Sequence, residues 1–276
     1  MSGTIIVGVT DAASSRSAQE WALRRARETG RRLVLFAVVG GAVGAVGEDE
    51  VVTRVVSRAR DALERVVAEV SASGVAVEAR IESGNPVALL VDASTDAELL
   101  VIGGEPRGHG HRGQHGARIA AGAHCPVVVV PEADSADRRG VVVGVDGSEV
   151  SDAAIDFAAA EAQRAGETLT VVSAWMPVAM PGDFGVYPDL YLTDLQGITQ
   201  AGVDRVLERV RADHPGLDVV AAVAEGEPST VIGDHARSAR LTVVGSHGRG
   251  AFARFLLGSV SEQVVANLES AVAVVR

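Results

Sequence analysis

The chain has 276 residues and a formal net charge of −11 at pH 7. Hydrophobic residues make up 47% and charged residues 22%, which excludes an intrinsically disordered chain and allows two domains, each with its own core. The acidic balance argues against sequence-independent binding to nucleic acids or anionic lipids. All 25 basic residues are arginine, which excludes a phosphate-loop lysine and a lysine-bound cofactor.

Cysteine usage and the N-terminal sequence bear on the compartment. Cys125 is the single cysteine, so an internal disulfide is excluded, and a small buried residue is favoured over a redox role. The first residues lack a basic region followed by an apolar core, and no apolar run approaches ~20 residues. We therefore expect a cytoplasmic protein without membrane association.

The sequence repeats itself, which indicates a duplicated domain. Four segments of the first half recur in the same order in the second half. The pairs are Val7–Thr10 with Val143–Asp146, Glu82–Pro86 with Ala224–Pro228, Leu99–Gly103 with Leu241–Gly245, and Pro126–Val130 with Ala271–Val275. The predicted organisation is a domain over 1–131, a polar linker over 132–139 and a second domain over 140–276.

Short Val-rich runs alternate with helical patterns in each half, which predicts an α/β fold. We expect two tandem doubly wound, Rossmann-like domains, each a five-stranded parallel sheet flanked by helices. In the second half, strands are predicted near 140–146, 168–175, 217–224, 241–245 and 271–275. Helices are predicted near 151–165, 195–213, 228–238 and 258–268, with caps at Ser151 or Asp152 and at Ser259 to Ser261.

A glycine-rich segment follows the fourth strand of the second half. It comprises Gly245-Ser246-His247-Gly248-Arg249-Gly250, and Gly258-Ser259 then opens the last helix. The glycines are expected to supply positive φ angles and to bring N–H groups close to an anion. The helix start favours phosphate, Ser259 and Ser261 add hydroxyl donors, and Arg249 adds a charge. A plain surface turn followed by a helix cap is the alternative.

This segment resembles the nucleotide motif of the universal stress protein family. Gly-x2-Gly-x9-Gly-Ser fits Gly245, Gly248, Gly258 and Ser259, and Val143–Glu149 looks like the family's first-strand signature. The resemblance covers both halves and implies ATP binding in the second. It implies that Asp146 lies beside the ribose, that Gly144 belongs to the same binding site, and that the backbone at Ala174 meets adenine. The implied phosphate path is lined by Val244, Gly245, Gly248, Gly258, Ser259, Val260 and Ser261.

The first half departs from this motif. Thr10 stands in place of Asp146, Pro106 in place of Gly248 and Gln114 in place of Ser259. Proline removes an N–H donor and restricts φ, so a structural or sensory role is expected for this half.

The leading hypothesis for function is a stress-response protein that binds ATP, with or without Mg²⁺, and signals through its shape or through an unknown protein partner. Cyclic AMP is an alternative ligand. No catalytic residue is predicted, because no base oriented by a carboxylate is recognisable near His247. A slow ATP hydrolase, with Asp146 helping to hold Mg²⁺, and a nucleotide-free scaffold remain alternatives.

Three further features have weaker interpretations. His109, His111 and His115 lie close in sequence, but a solvated glycine-rich loop is favoured over a metal site. The segment Trp175–Leu192 carries three prolines and four aromatic residues, which predicts a loop that is either a lid over the base or an interface. The two halves are expected to form a pseudo-dimer through their last strands, and a homodimer of the whole chain stays open.

Overall fold

The computed structural model describes residues 3–39, 48–72, 74–104, 113–132, 137–177, 189–248 and 256–276. The chain divides into two compact units, one mainly of Met1–Asp134 and the other of Ser135–Ala253 with Gly258–Arg276. None of the described helices is both long enough and apolar enough to cross a membrane.

The first domain alternates strands and helices along the chain. Its described elements are β1 (Thr4–Val9), α1 (Ala13–Thr29), β2 (Arg32–Val39), α2 (Glu48–Ser71), β3 (Val77–Ser83), α3 (Pro86–Ala93), β4 (Leu99–Gly104), α4 (Gly113–Gly122) and β5 (Val127–Pro131). The strand order is β3-β2-β1-β4-β5, and all neighbouring pairs are parallel.

The second domain repeats this order of elements. It contains β6 (Val141–Gly144), α5 (Glu149–Ala165), β7 (Leu169–Trp175), α6 (Asp189–Asp213), β8 (Val219–Glu225), α7 (Pro228–Ala236), β9 (Leu241–Gly245), α8 (Ser259–Asn267) and β10 (Ala271–Val275). Its strand order is β8-β7-β6-β9-β10, again parallel throughout. The predicted α/β fold with doubly wound parallel sheets is confirmed in both domains.

The apolar strands form the core of each sheet. All residues of β5 and β10 are buried, as expected for strands covered on both faces. Right-handed crossovers put the first two helices of a domain on one face and the last two on the other. Accordingly, α3 packs against α4, and α7 packs against α8.

Two helix boundaries differ from the sequence prediction. Helix α6 was expected from 195 and begins at Asp189, directly after Pro188. Proline disrupts a helix interior but not the entry to the first turn, so Pro188 is compatible with a helix that begins at Asp189. Helix α5 is capped by Ser148, whose Oγ accepts a hydrogen bond from the Ser151 backbone N–H at 3.2 Å. The predicted caps Ser151 and Asp152 lie inside the helix.

The duplicated segment Gly-x-Pro starts a helix in each domain with a different cap. Gly84 and Gly226 share a φ of 150°. Asn85 then caps α3 by accepting hydrogen bonds from two backbone N–H groups. Glu227 caps α7 through the Thr230 N–H at 2.9 Å. Burial raises the pKa of Glu227, but hydrogen bonds from Ser229 and Thr230 outweigh it and leave the pKa below its ordinary value.

Cys125 lies in the core just before β5. Its side chain is 6% exposed, and burial raises its pKa to about 11. The thiol is therefore protonated at neutral pH and shielded from reagents, which agrees with a packing role.

We predict that Cys125 in the native protein does not react with a disulfide reagent such as DTNB at pH 7.5, because both the thiolate and access are lacking. Unfolding in guanidinium chloride should release one equivalent of reactive thiol per chain. Rapid stoichiometric reaction of the folded protein would contradict this account.

We also predict that the two caps respond differently to pH. Glu227→Ala should cost about 0.5–1 kcal/mol of unfolding free energy at pH 7. Because the folded pKa of Glu227 is depressed, the stabilisation is present above an ordinary glutamate pKa of about 4.3 and is lost as the pH falls through the folded value.

The matched control is Asn85→Ala, whose cost of about 1 kcal/mol should not vary with pH. Denaturant titrations between pH 7 and about pH 3, which extend below the ordinary glutamate pKa, test both variants. An equal pH dependence for both would refute the assignment of the charged cap.

Candidate functional site

The candidate site lies where the strand order of the second domain reverses. Strands β6 and β9 are neighbours that continue into α5 and toward α8 on opposite faces of the sheet. Crevices beyond the carboxyl ends of such strands are the usual ligand positions in doubly wound sheets. Gly144 and Gly245 are the last residues of the two strands.

The turn after β6 presents the Asp146 carboxylate. Asp146 Oδ1 accepts a hydrogen bond from the Ser148 N–H at 3.0 Å, and the Asp146 N–H donates to Ser151 Oγ at 3.3 Å. Gly147 adopts a φ of 77° between them, a conformation that glycine takes without strain. The side chain of Asp146 is exposed and held in one orientation.

The loop after β9 runs against this carboxylate. A Cβ atom added to Gly248 would overlap Asp146 Oδ2, so a side chain at 248 and the present position of Asp146 exclude each other. Gly245 similarly packs against Val150, whose Cγ1 atom would lie 3.0 Å from an added Cβ. These two glycines therefore allow Asp146 and Val150 to approach the loop backbone closely.

The expectation that these glycines supply positive φ was wrong for the described ones. Gly245, Gly248 and Gly258 do not have positive φ, whereas Gly147 does. Sequence spacing does not separate a glycine needed for its backbone angle from one needed for its missing side chain. Gly250 and Arg249 lie outside the described residues.

Ser246 organises the loop, and the sequence analysis gave it no role. Its backbone N–H donates to the Val275 carbonyl at 2.6 Å, and its own carbonyl accepts from the Gly258 N–H at 2.8 Å. Its hydroxyl is 2.9 Å from His247 Nδ1. Ser246 is fully buried, and a small polar residue directly after a buried strand was the signal that could have identified it.

Helix α8 begins without a side-chain cap. Gly258 is the cap residue and makes no side-chain hydrogen bond, so the predicted capping by Ser259 to Ser261 was wrong. An added Cβ at Gly258 would lie 3.2 Å from His247 Cα. The open start of a helix offers N–H donors and the positive end of its dipole.

The two serines of this first turn differ in availability. Ser261 is 5% exposed, and its hydroxyl donates to the Gly245 carbonyl at 2.5 Å. It therefore joins α8 to β9 and is not a free donor. Ser259 is exposed, and no hydrogen bond of its hydroxyl is found among the described residues. Val260 lies between them, half-buried.

The remaining predicted site residues lie on the strands themselves. Val244 is buried at 3% exposure. Ala174 is half-buried near the end of β7 and is paired with Ala224. Gly144 packs under α7, where an added Cβ would be 2.5 Å from Ile232 Cδ1. The structure thus brings Asp146, Gly245, Gly248 and Gly258 together, with Gly144, Ala174 and Val244 as strand positions beneath.

The first domain has the same turn with different side chains. The Thr10 N–H donates to Ser15 Oγ at 2.9 Å, and Thr10 Oγ1 accepts from the Ala12 N–H at 3.2 Å. These bonds repeat those of Asp146 with Ser151 and Ser148, but they hold a hydroxyl instead of a carboxylate. Ala12 caps α1 without a side-chain hydrogen bond. Pro106 lies outside the described residues.

Other sequence candidates are only partly visible. His109 and His111 lie outside the described residues, and His115 is exposed on α4. Among the residues that the structure describes, no group of three or more metal-binding side chains is found. Most of the predicted loop after Trp175, including Phe184 and Tyr187, also lies outside them.

Comparison with known proteins bears on both domains. The model of the universal stress protein family matches residues 1–131 and 138–276. A universal stress protein of Mycolicibacterium smegmatis is 32% identical over 99% of this chain and 96% of its own length. One of Mycobacterium tuberculosis is 30% identical over 99% of this chain and 96% of its own.

A solved structure that spans both domains has the same fold. The crystal structure of a universal stress protein from Archaeoglobus fulgidus covers 99% of this chain and 95% of its own, with a TM-score of 0.70 and 19% identity. A universal stress protein in complex with cAMP covers 51% of this chain and 99% of its own, with 27% identity and a TM-score of 0.40.

Proposed function

This chain belongs to the universal stress protein family, and we propose that its second domain binds ATP and acts as a stress-response regulator through ligand-dependent conformation or partner contacts. Asp146, Gly248 and the uncapped start of α8 carry the proposal, because together they offer a metal or ribose ligand beside an anion-binding backbone.

The start of α8 is suited to phosphate. Its cap residue, Gly258, supplies no side-chain acceptor to the first-turn N–H groups. An anion at this position gains hydrogen bonds and the field of the helix dipole. Ser259 adds an exposed hydroxyl, and Arg249, next to Gly248 in sequence, is proposed to add positive charge. Ser261 contributes by holding α8 against β9 through the Gly245 carbonyl.

Asp146 is suited to the ribose or to Mg²⁺. Its Oδ1 is oriented by the Ser148 N–H, while the rest of the carboxylate faces the glycine loop. Carboxylate oxygens accept hydrogen bonds from hydroxyl groups and coordinate Mg²⁺ beside phosphates. The adenine is proposed to lie along the backbone at Ala174, with Gly144, Val244 and Gly245 lining the path between base and phosphates.

The site favours binding over rapid turnover. His247 Nδ1 is hydrogen-bonded to the Ser246 hydroxyl, a partner that orients the ring without the charge that a carboxylate would give to a general base. The chain also lacks the lysine of phosphate-loop hydrolases. Ligand-dependent shape is therefore the proposed output.

We predict that Mg-ATP raises the melting temperature of the purified protein. A ligand at 100 times its dissociation constant adds about 2.7 kcal/mol, which corresponds to roughly 5–10 °C for a domain of this size. ADP and cyclic AMP are tested in parallel, and the largest shift at equal concentration identifies the preferred ligand. No shift with any of the three, and no nucleotide carried through purification, would favour a scaffold.

Two glycine variants test where the nucleotide binds. Gly248→Ala should displace the Asp146 carboxylate and weaken ATP binding about tenfold. Gly258→Val should weaken it further, because its side chain meets the His247 backbone at the phosphate position. The control is Gly197→Ala in α6, where an added Cβ has nothing within 4 Å. Calorimetric titration should give an ATP affinity for the control that equals that of the parent protein. An unchanged ATP affinity in Gly248→Ala and Gly258→Val as well would disprove the site.

Asp146→Asn separates binding from hydrolysis. If the domain only binds, phosphate release from ATP should stay at the background rate in both the parent protein and the variant. The variant should still bind ATP, with a weaker dependence on Mg²⁺. Release of phosphate by the parent protein that this substitution abolishes would instead establish the hydrolase.

A further inference from the structure

The first domain contains a cavity of about 270 Å³ at the carboxyl ends of β1, β2 and β4. Its floor is formed by buried apolar side chains of β2, α3, β4 and α4, namely Phe36, Leu90, Ile102 and Ile119. This is the position that corresponds to the candidate nucleotide site of the second domain. The chemistry of its walls is different.

Strand register shows how the walls differ. Gly8 on β1 pairs with Phe36, whereas the corresponding Gly144 on β6 pairs with Val172. Two residues further along, Val38 stands where the second domain has Ala174. At both positions the first domain has the larger apolar side chain. The space that would receive a flat polar base is therefore reduced and made more apolar.

The charged groups around the cavity do not suit phosphates. None of its described lining residues is an arginine, His115 is the one basic side chain among them, and the exposed Asp11 adds a negative charge to the rim. Thr10 also replaces the carboxylate that the second domain offers to a metal. A charged ligand would lose its hydration against this apolar floor, which is costly, and among the described lining residues only His115 could offset that cost for an anion.

One serine in the wall is available to a ligand. Ser14 lines the cavity and is 4% exposed, yet its side chain makes no hydrogen bond within the part of the chain that the structure describes. Its neighbour Ser15 differs, because Ser15 Oγ already accepts from the Thr10 N–H and from Gln19. A hydroxyl group beside an otherwise apolar cavity gains a hydrogen bond when a ligand offers a polar atom there, so we assign this contact to Ser14.

The size of the cavity limits the ligand. An apolar cavity of about 150 Å³ takes benzene, so about 270 Å³ suits a molecule of roughly ten to twelve non-hydrogen atoms. We propose that the first domain binds an uncharged, largely apolar molecule of this size that carries one hydroxyl or carbonyl oxygen, which bonds to Ser14. The chain then combines two ligand sites of different chemistry in duplicated domains.

The experiment uses 1-naphthol as the probe in calorimetric titrations of the full chain. Naphthol should bind with one equivalent per chain. Its charged analogue, 1-naphthoate, should bind at least tenfold more weakly because of the buried apolar floor and Asp11. Absence of naphthol binding, or equal affinity for naphthoate, would overturn the proposal.

Matched variants of the two domains localise the probe. Val38→Trp should fill the cavity and weaken naphthol binding at least tenfold while leaving ATP affinity unchanged. Ala174→Trp, at the corresponding register position, should weaken ATP binding and leave naphthol affinity unchanged. The reverse pattern, or displacement of naphthol by ATP, would show that the cavity is not a separate site. Because the two ligands are measured separately, loss of the nucleotide proposal does not affect this result.

Ser14→Ala tests the polar contact with little risk to folding. It should weaken naphthol binding about fivefold, the effect of one neutral hydrogen bond, and leave the affinity for naphthalene unchanged. Melting curves of all variants confirm that they fold. An unchanged naphthol affinity in Ser14→Ala would refute the assigned role of this hydroxyl.

Discussion

The pair of backbone hydrogen bonds at Ser246 is the constraint on which the candidate site depends. One bond holds the start of the loop to the Val275 carbonyl of β10, and the other holds Gly258 at the start of α8. Both ends of a long glycine-rich connection are thus fixed by one buried residue. Because buried backbone groups must be paired, the loop cannot leave this position without losing both bonds, and Gly248 is kept beside Asp146.

The two domains use one framework for different surfaces. The hydrogen bonds of the turn after the first strand are the same in both, with Ser15 and Ser151 as the common acceptors. What changes is the side chain that the turn presents, a hydroxyl at Thr10 and a carboxylate at Asp146. The helix caps follow the same rule, since Asn85 and Glu227 occupy equivalent positions with different charge. Duplication has kept the backbone and varied the chemistry at its edges.

The fold was predictable from the sequence because the repeat and the buried valine runs act over many residues. The helix caps and the hydrogen bonds of the site were harder to predict from the sequence. The Ser148 cap was missed although a serine directly before an acidic first turn is a typical cap signal, and the role of Ser246 depends on β10, which lies far along the chain. The availability of Ser259 and Ser261 could not be separated by sequence, because it depends on which hydroxyl meets the Gly245 carbonyl.

The overlap between Asp146 and any side chain at 248 links these two positions across about a hundred residues of sequence. A carboxylate keeps its present position at the first only if the second has no Cβ, so a change at the second alters the position of the carboxylate. The first half of the chain shows the other combination, with Thr10 and Pro106 at the corresponding places in the sequence. In descendants of this duplicated gene, the two positions should mutate as a pair, and a glycine lost at one should accompany a shortened side chain at the other.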